Sequence, residues 1–445
     1  MRIGIPRALT FYRYYPFLKV FLEGCGQEVF SSPPTDMRIL EAGAEACVDD
    51  VCVAVKVLFG HVRFLEGEAD ALLLPRPVSV ERRHHDTFTC PKLIAAPDMI
   101  RFFRERPPLL LEWVLNAAEA PWWWGCALLA ARLQVSPWRA RKAYREACRA
   151  QGVFEYLLRQ GLFPDEALDI WENMVDNRRR HRSMGEESAS ADETGVEPYI
   201  RAGVTCAKGL LSAVGAAADR NGWKAGEPGD MNRFAVAKPR IAFLSDEGML
   251  MEGRASQAGS ASQDRDEVRQ WDLGRERVTV GVVGHPYLLA DRLVNKSLIR
   301  WLEEAGAQAW PCTMLSPEVL ERESRRVPVT SWSYERELLA ATSHFVRRPE
   351  VQGVVYLTSF GCGPDSLTVE MARREITSRC GKPLLEVVLD EHTGDAAVRT
   401  RAEAFVDMIL RQKPVEGRRR ATSAQGHGRR RGASSPSRFL ISPGS

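Results

Sequence analysis

An α/β fold built from two Rossmann-like, parallel-sheet lobes is the architecture this sequence predicts, on three observations. Short apolar runs of strand length alternate with helix-period stripes in residues 1–100 and again in 278–412, the pattern of a parallel sheet covered by helices. The helix end Leu22-Glu-Gly-Cys-Gly26-Gln is echoed by Leu302-Glu-Glu-Ala-Gly306-Ala-Gln, and an extended run follows each, so the lobes read as similar βαβ halves. Between them the texture turns Leu/Ala/Trp/Arg-rich and strand-like runs vanish, which makes residues 101–238 a helical insert.

In chain order, Arg2-Ile-Gly-Ile5 is a strand, and Phe17, Leu18, Phe21 and Leu22 mark a helix that stops near Gly24-Cys-Gly26. Gln27 to Ser31 is extended, Met37 to about Cys47 a second helix, and Ala71-Leu-Leu-Leu-Pro75 a buried strand. The apolar window Trp113 to Leu133 reads as buried helix, with Trp122-Trp-Trp124 in a helical core rather than on a partner surface. Asn177 to Glu197 is polar and exposed, and residues 239–277 hold one strand and a polar linker. The second lobe runs through the strand Val278–Val283, a turn at Gly284-His-Pro-Tyr287 and a helical stripe from Val294 to Ala305. Val351 to Thr358 is a strand, Leu367 to Thr377 a helix, Pro383 to Leu389 the last strand and Arg401 to Arg411 a closing helix. Residues 413–445, with two Arg triplets among Gly, Ser and Pro, are expected to be a disordered basic tail.

The 445 residues carry 61 Lys/Arg against 58 Asp/Glu, a formal net charge of +3. The tail holds eight of those cations and one acid, so residues 1–412 carry 53 against 57, or −4. A mildly acidic body lacks the clustered cations that neutralise phosphates, which argues against a nucleic-acid partner. No secretory pattern opens the chain, and Asn116, Glu119 and Pro121 interrupt the most apolar window, so a cytoplasmic protein without a membrane partner is expected. In a reducing compartment the ten cysteines stay thiols.

Ligands of open α/β sheets bind beyond the carboxyl ends of the strands, and three cysteines fall there. Cys362 lies in Ser359-Phe-Gly-Cys-Gly-Pro-Asp365, Cys90 in Thr87-Phe-Thr-Cys-Pro91, and Cys52 four residues before Lys56 and close to Gly60-His61. Thiols on separate loops can converge on an iron-sulfur cluster, but each can also be a small buried hydrophobe. The second reading is kept for Cys25, Cys126, Cys148, Cys206, Cys312 and Cys380, while Cys47 is open as a spare ligand. Zinc has no paired Cys-x-x-Cys to occupy, and His84-His85 reads as a solvated turn. No phosphate-binding Gly-rich loop is found, so ATP hydrolysis by this chain is not expected. Asp390-Glu-His392 follows a strand: it either caps the next helix or tunes a group near Cys362, whereas Glu403 and Asp407 read as a salt-linked face with Arg399.

Those residues also resemble a known family. Ile3-Gly-Ile-Pro-Arg7, Cys52-x-x-x-Lys56 with Gly60-His61, Leu74-Pro-Arg76, Cys90-Pro91, Gly284-His-Pro-Tyr287 with Asp291 and Asn295, Phe360-Gly-Cys-Gly-Pro-Asp365, and Asp390-Glu-His-Thr-Gly394 carry the resemblance. It is to the uncharacterised domain often fused to CoA-substrate-specific enzyme activases, related to the subunits of 2-hydroxyacyl-CoA dehydratase and benzoyl-CoA reductase. The motifs cover residues 1–100 and 278–410.

The resemblance implies a 4Fe-4S cluster held by Cys52, Cys90 and Cys362, with Lys56 and His61 lining its pocket and His392 as a proton donor if it points inward. It implies low-potential electron transfer to a CoA thioester or other small substrate, with electrons from a separate ATP-hydrolysing activase of actin-like fold that carries its own cluster; a ferredoxin is a further candidate partner. Ala54 stands where the family has Pro, which leaves the Cys52 loop less rigid. The enzyme reading is therefore an acyl-CoA dehydratase-type or ATP-dependent reductase component. Its alternatives are a non-catalytic cluster-binding scaffold or regulatory partner of an activase/dehydratase system, and a structural α/β protein without a cluster.

Overall fold

The computed structural model describes residues 1–81, 87–103, 108–183, 277–377 and 380–412. The first lobe runs β1 (Arg2–Ile5), α1 (Phe11–Gly24), β2 (Glu28–Ser31), α2 (Met37–Glu45), α3 (Val53–Leu65), β3 (Ala71–Ser79), α4 (Pro91–Phe103), β4 (Leu110–Asn116), α5 (Trp122–Arg132), α6 (Pro137–Arg159) and α7 (Pro164–Ser183). In the second lobe come β5 (Val278–Val283), α8 (Pro286–Ala290), α9 (Leu298–Glu304), β6 (Ala307–Pro311), α10 (Pro317–Ser324), α11 (Ser333–Arg347), β7 (Gly353–Ser359), α12 (Gly363–Met371), β8 (Leu384–Leu389) and α13 (Asp395–Gln412).

Both sheets have four parallel strands and the same order, β2-β1-β3-β4 and β6-β5-β7-β8. The two-lobed α/β architecture is thus as expected, and the repeated helix end reflects one topology used twice. In each sheet the chain winds outward in both directions from a central pair, β1/β3 or β5/β7, and the crevice at the carboxyl ends of such a pair is where α/β sheets bind ligands. Strands β5 and β7 are the most apolar: β7 is buried along its whole length, as befits a strand covered on both faces.

The strand-free reading of the chain beyond residue 100 fails at Leu110–Asn116, which form β4 at the edge of the first sheet, paired with β3. Their sequence, Leu-Leu-Glu-Trp-Val-Leu-Asn, lacks strong β-branched enrichment, and a short apolar run does not declare its period. Trp113 is fully buried there, with Tyr14 and Phe17 each 5.4 Å from its ring and Trp122 at 6.0 Å. Helices α5, α6 and α7 add to that aromatic core through Leu129, Phe154 and Trp171, so residues 108–176 pack as part of the first lobe. Trp123 and Trp124, by contrast, are exposed. The expectations for residues 184–276, for His84-His85, for Cys206 and for the 413–445 tail lie outside the described residues.

One apolar cluster joins α3 and α4 of the first lobe to the core of the second, through Val55, Val57, Leu58, Leu93 and Ile100 on one side and Val282, Leu339, Val355 and Tyr356 on the other. Polar clasps add to it. Arg13 forms a two-pronged ion pair with Glu337 at 2.8 Å, Arg292 meets Asp165 at 3.0 Å, and Arg336 pairs with Glu81. Phe88 and Ser333 close the seam through backbone bonds: Phe88 N–H donates to Ser331 and Ser333 N–H to Phe88, each at 2.9 Å. The carboxyl ends of both sheets line this seam.

Candidate thiol site between the lobes

Each of the three selected cysteines stands at the start of a helix. Cys52 caps α3, its carbonyl accepting from Val55 N at 2.9 Å; Cys362 caps α12, accepting from Ser366 N at 3.1 Å; and the Cys90 carbonyl accepts from Leu93 N at 2.9 Å and Ile94 N at 3.1 Å ahead of α4. A helix N-terminus presents unpaired N–H groups and a partial positive charge, which favour a thiolate.

The structure brings the three loops together. The Lys92 ammonium donates to the Gly361 carbonyl at 2.9 Å and to the Asp50 carbonyl at 3.3 Å, so a residue two places after Cys90 ties the loop before Cys362 to the loop before Cys52. Gly361 adopts φ 74°, a left-handed conformation, and a Cβ placed there would stand 3.7 Å from Cys52 N. All three thiols are raised above the ordinary cysteine range, first by burial, and for Cys90 and Cys362 also by the charge of the neighbouring cysteines. Tyr287, partly buried beside them, feels the charge of all three.

Thiolates crowded in a dry site need a cationic partner, and this donor set supplies three sulfurs from three rigid helix starts. Among the described residues the thiols do not gather three ligand atoms within 4.8 Å. One tetrahedral ion bound at about 2.3 Å would draw its sulfurs to about 3.8 Å apart, closer than these three thiols all stand to one another. Cys52 and Cys362 are 6% and 5% exposed, while Phe360 beside them is 67% exposed and marks the side where the cradle meets solvent. Cys47, open as a spare ligand, donates its S–H to the Gly43 carbonyl at 3.1 Å and is pushed up to about 11 by burial. Cys25, Cys126 and Cys312 are buried, as expected for core thiols, whereas Cys380 is exposed.

The other expected pocket residues divide. Lys56 is buried and its ammonium pairs with Glu391 across the lobe seam. His392 is 88% exposed, so the condition set for a proton-donor role, an inward-facing ring, is not met. Its backbone N–H donates to Asp390 at 2.9 Å, and Thr393 also bonds Asp390, the turn-forming use of this segment. The acid that reaches inward is thus Glu391. Glu403 pairs with Arg399 at 2.8 Å, the surface link expected, and Asp407 pairs instead with Arg411.

His61 is fully buried, and its Nε2 lies 3.0 Å from the Thr35 hydroxyl, which in turn donates to Asp291 of the second lobe. Thr35 has one proton to give, so His61 donates to it from Nε2 and leaves Nδ1 without a partner. Burial, helped by Arg7, holds His61 down at about 3, while burial pushes Asp291 up to about 6 against its bonds from Thr35, Val294 N and Leu293 N.

The two groups act oppositely on stability. Asp291 has a raised folded value, so its contribution is complete below the ordinary aspartate range and is lost as pH rises through 6; His61 has a lowered one, so its contribution is complete above 6.5 and is lost as pH falls toward 3. Between about pH 4 and 6 they cancel. His61→Gln is therefore expected to become more stable from pH 7 to 4, and Asp291→Asn less stable, each by about 1.4 kcal/mol per pH in the steep region. Urea midpoints measured across that range check this, and parallel profiles for the two variants would refute it.

A parallel two-lobed α/β protein with thiols at the carboxyl ends of both sheets is the class that fold and site define. Residues 2–179 match the family model of the CoA enzyme activase uncharacterised domain, and residues 293–409 match that of the 2-hydroxyglutaryl-CoA dehydratase D-component. Both matches support the relation to the 2-hydroxyacyl-CoA dehydratase family read from the motifs. The first takes in β4 through most of α7, in line with their packing on the first lobe. No curated protein matches the chain. Among the described residues no helix is long and apolar enough to cross a membrane.

Proposed function

We propose that the seam holds a 4Fe-4S cluster on Cys52, Cys90 and Cys362, and that the protein works as an electron-accepting component of a 2-hydroxyacyl-CoA dehydratase-type system, served by a separate ATP-dependent activase and acting on a CoA thioester or related small substrate. The observation that carries this reading is the convergence of the three cysteine-bearing helix starts, clipped by Lys92. Bound there, the cluster supplies one-electron chemistry at low potential.

The chain's own residues supply the setting. Three helix N-termini favour anionic sulfur, Lys92 adds a positive charge beside Cys52, and the apolar seam excludes water, which strengthens both effects. Lys56 is held by Glu391 behind the site and fixes the seam, so it acts as a positioning residue. His61 stays neutral at physiological pH and orients Thr35 against Asp291.

The experiment is a titration of the anaerobically reconstituted full chain with Ti(III) citrate, followed by addition of a 2-hydroxyacyl-CoA. Uptake of one electron per cluster and reoxidation that depends on the CoA thioester are expected. Reduction without thioester-dependent reoxidation would replace the enzyme reading with that of a cluster-binding scaffold or regulatory partner.

A further inference from the structure

Deeper in the second lobe lies a group of ligating side chains that the thiol site does not use. His285 follows β5, Asp365 sits in the first turn of α12 after β7, and Glu335 lies in the first turn of α11; β5 and β7 are the central pair of their sheet. The three are 4%, 0% and 1% exposed, and one ligand atom from each lies within 4.8 Å of the others. We propose that His285, Glu335 and Asp365 form a binding site for one divalent first-row ion, with zinc the best match.

Spacing is the first argument. His285 Nε2 is 3.5 Å from Asp365 Oδ1 and 3.8 Å from Glu335 Oε1. Charge-assisted hydrogen bonds close to about 2.7–2.9 Å, so these contacts are too long to be the purpose of the cluster. Nitrogen and oxygen ligands at about 2.0–2.2 Å from a tetrahedral ion stand about 3.3–3.6 Å apart, which matches the His285–Asp365 separation and falls just short of the His285–Glu335 one.

Unspent acceptors are the second. Both carboxylate oxygens of Asp365 and Oε2 of Glu335 are buried without a hydrogen-bond partner, an arrangement that is costly unless a cation takes their lone pairs. The Tyr356 hydroxyl, also buried and unpartnered, lies near enough to feel the charge of both acids. Tyr287 stacks on the His285 ring at 5.1 Å and 10°, fixing its plane. The donor set of one imidazole and two carboxylates, with no thiolate, separates this site from the cysteine cradle and suits zinc, which takes such mixed N/O ligands.

The test uses the full chain, stripped with a chelator, given zinc or cobalt(II) alone and desalted before metal analysis. Wild type and the Cys52→Ser/Cys90→Ser/Cys362→Ser triple variant are both expected to retain one zinc per chain, and Glu335→Gln to lose it while keeping its helical circular dichroism. Cobalt in the triple variant, whose cradle has no thiols, should show visible d–d bands without a thiolate charge-transfer band, and Asp365→Asn gives a second variant if Glu335→Gln does not fold. Absence of retained zinc in the triple variant, zinc bound to Glu335→Gln as tightly as to the wild type, or a thiolate band in the cobalt spectrum of the triple variant would overturn the site.

Discussion

Glu391→Gln is expected to destabilise the protein by about 3 kcal/mol, the lower end of the range for breaking a buried ion pair. Glu391 is 18% exposed along its side chain and Lys56 only 5%, so the substitution strands an ammonium in the seam, and that uncompensated charge is the source of the cost. The lower end applies because water reaches the glutamate. Lys56→Met with Glu391→Leu should recover most of the loss, since two apolar groups need no partner.

The pH dependence of this pair has a definite sign. Burial pushes the Glu391 carboxyl up, but its bond and charge contact with Lys56 outweigh that and leave it below the ordinary glutamate range. A depressed carboxylate contributes stability that is complete above the unfolded value and is lost as pH falls through the folded one. Glu391→Gln should therefore lie closest to wild type in acid and differ most at neutral pH. Because Lys56 is on the helix that Cys52 caps, the variant is also expected to release a bound cluster faster to an iron chelator. Equal unfolding midpoints for wild type and variant at pH 7 would show that the pair does not hold the seam.

Gly60→Ala is the second substitution with a large expected effect. Helices α2 and α3 touch backbone to backbone: a Cβ on Gly60 would overlap the Ile39 carbonyl oxygen, and one on Gly43 would overlap that of Lys56. These obstacles are main-chain atoms, which cannot rotate away as a side chain would. Gly60 is helical, so replacement with Ala gains about 1 kcal/mol of propensity, yet the overlap forces the helices apart at about 3 kcal/mol, the top of the usual range for overpacking. The net loss should appear as a lower urea midpoint. Since α3 begins at Cys52, the shift should also disturb the thiol loop. A midpoint raised above wild type would mean that propensity wins and that the close approach is not needed.

The strands that lie in the centres of the two sheets were legible because they are buried on both faces: Arg2-Ile-Gly-Ile5, Val278–Val283 and the run ending at Ser359 are nearly continuous apolar segments bounded by Gly or Pro. Leu110–Asn116 was hidden because Leu and Trp suit either period and the neighbouring segments are helical. The selected thiols were legible by their position after strands, since parallel sheets send their loops to one edge. Their mutual approach was not, because it depends on how the two lobes dock, with more than 200 residues of chain between Cys90 and Cys362.

The same limit explains the acidic segment. Asp390-Glu-His392 stands out in sequence, but which of three successive side chains turns inward is decided by an Asp390-centred turn, and it is Glu391 rather than His392 that reaches Lys56. Lys92 had one signal, its place two residues after Cys90, and Glu335 had none: a glutamate in the first turn of a helix looks like an ordinary response to the helix dipole.

The measurement that bears most directly on the central claim is the iron and acid-labile sulfide content of the full chain purified without oxygen, beside the Cys52→Ser, Cys90→Ser and Cys362→Ser variants, with EPR spectra after reduction. Near-stoichiometric cluster in the wild type, lost in each variant while helical content is kept, is the predicted result. Wild type that carries no iron or sulfide after reconstitution, or variants that load as fully as wild type, would contradict it.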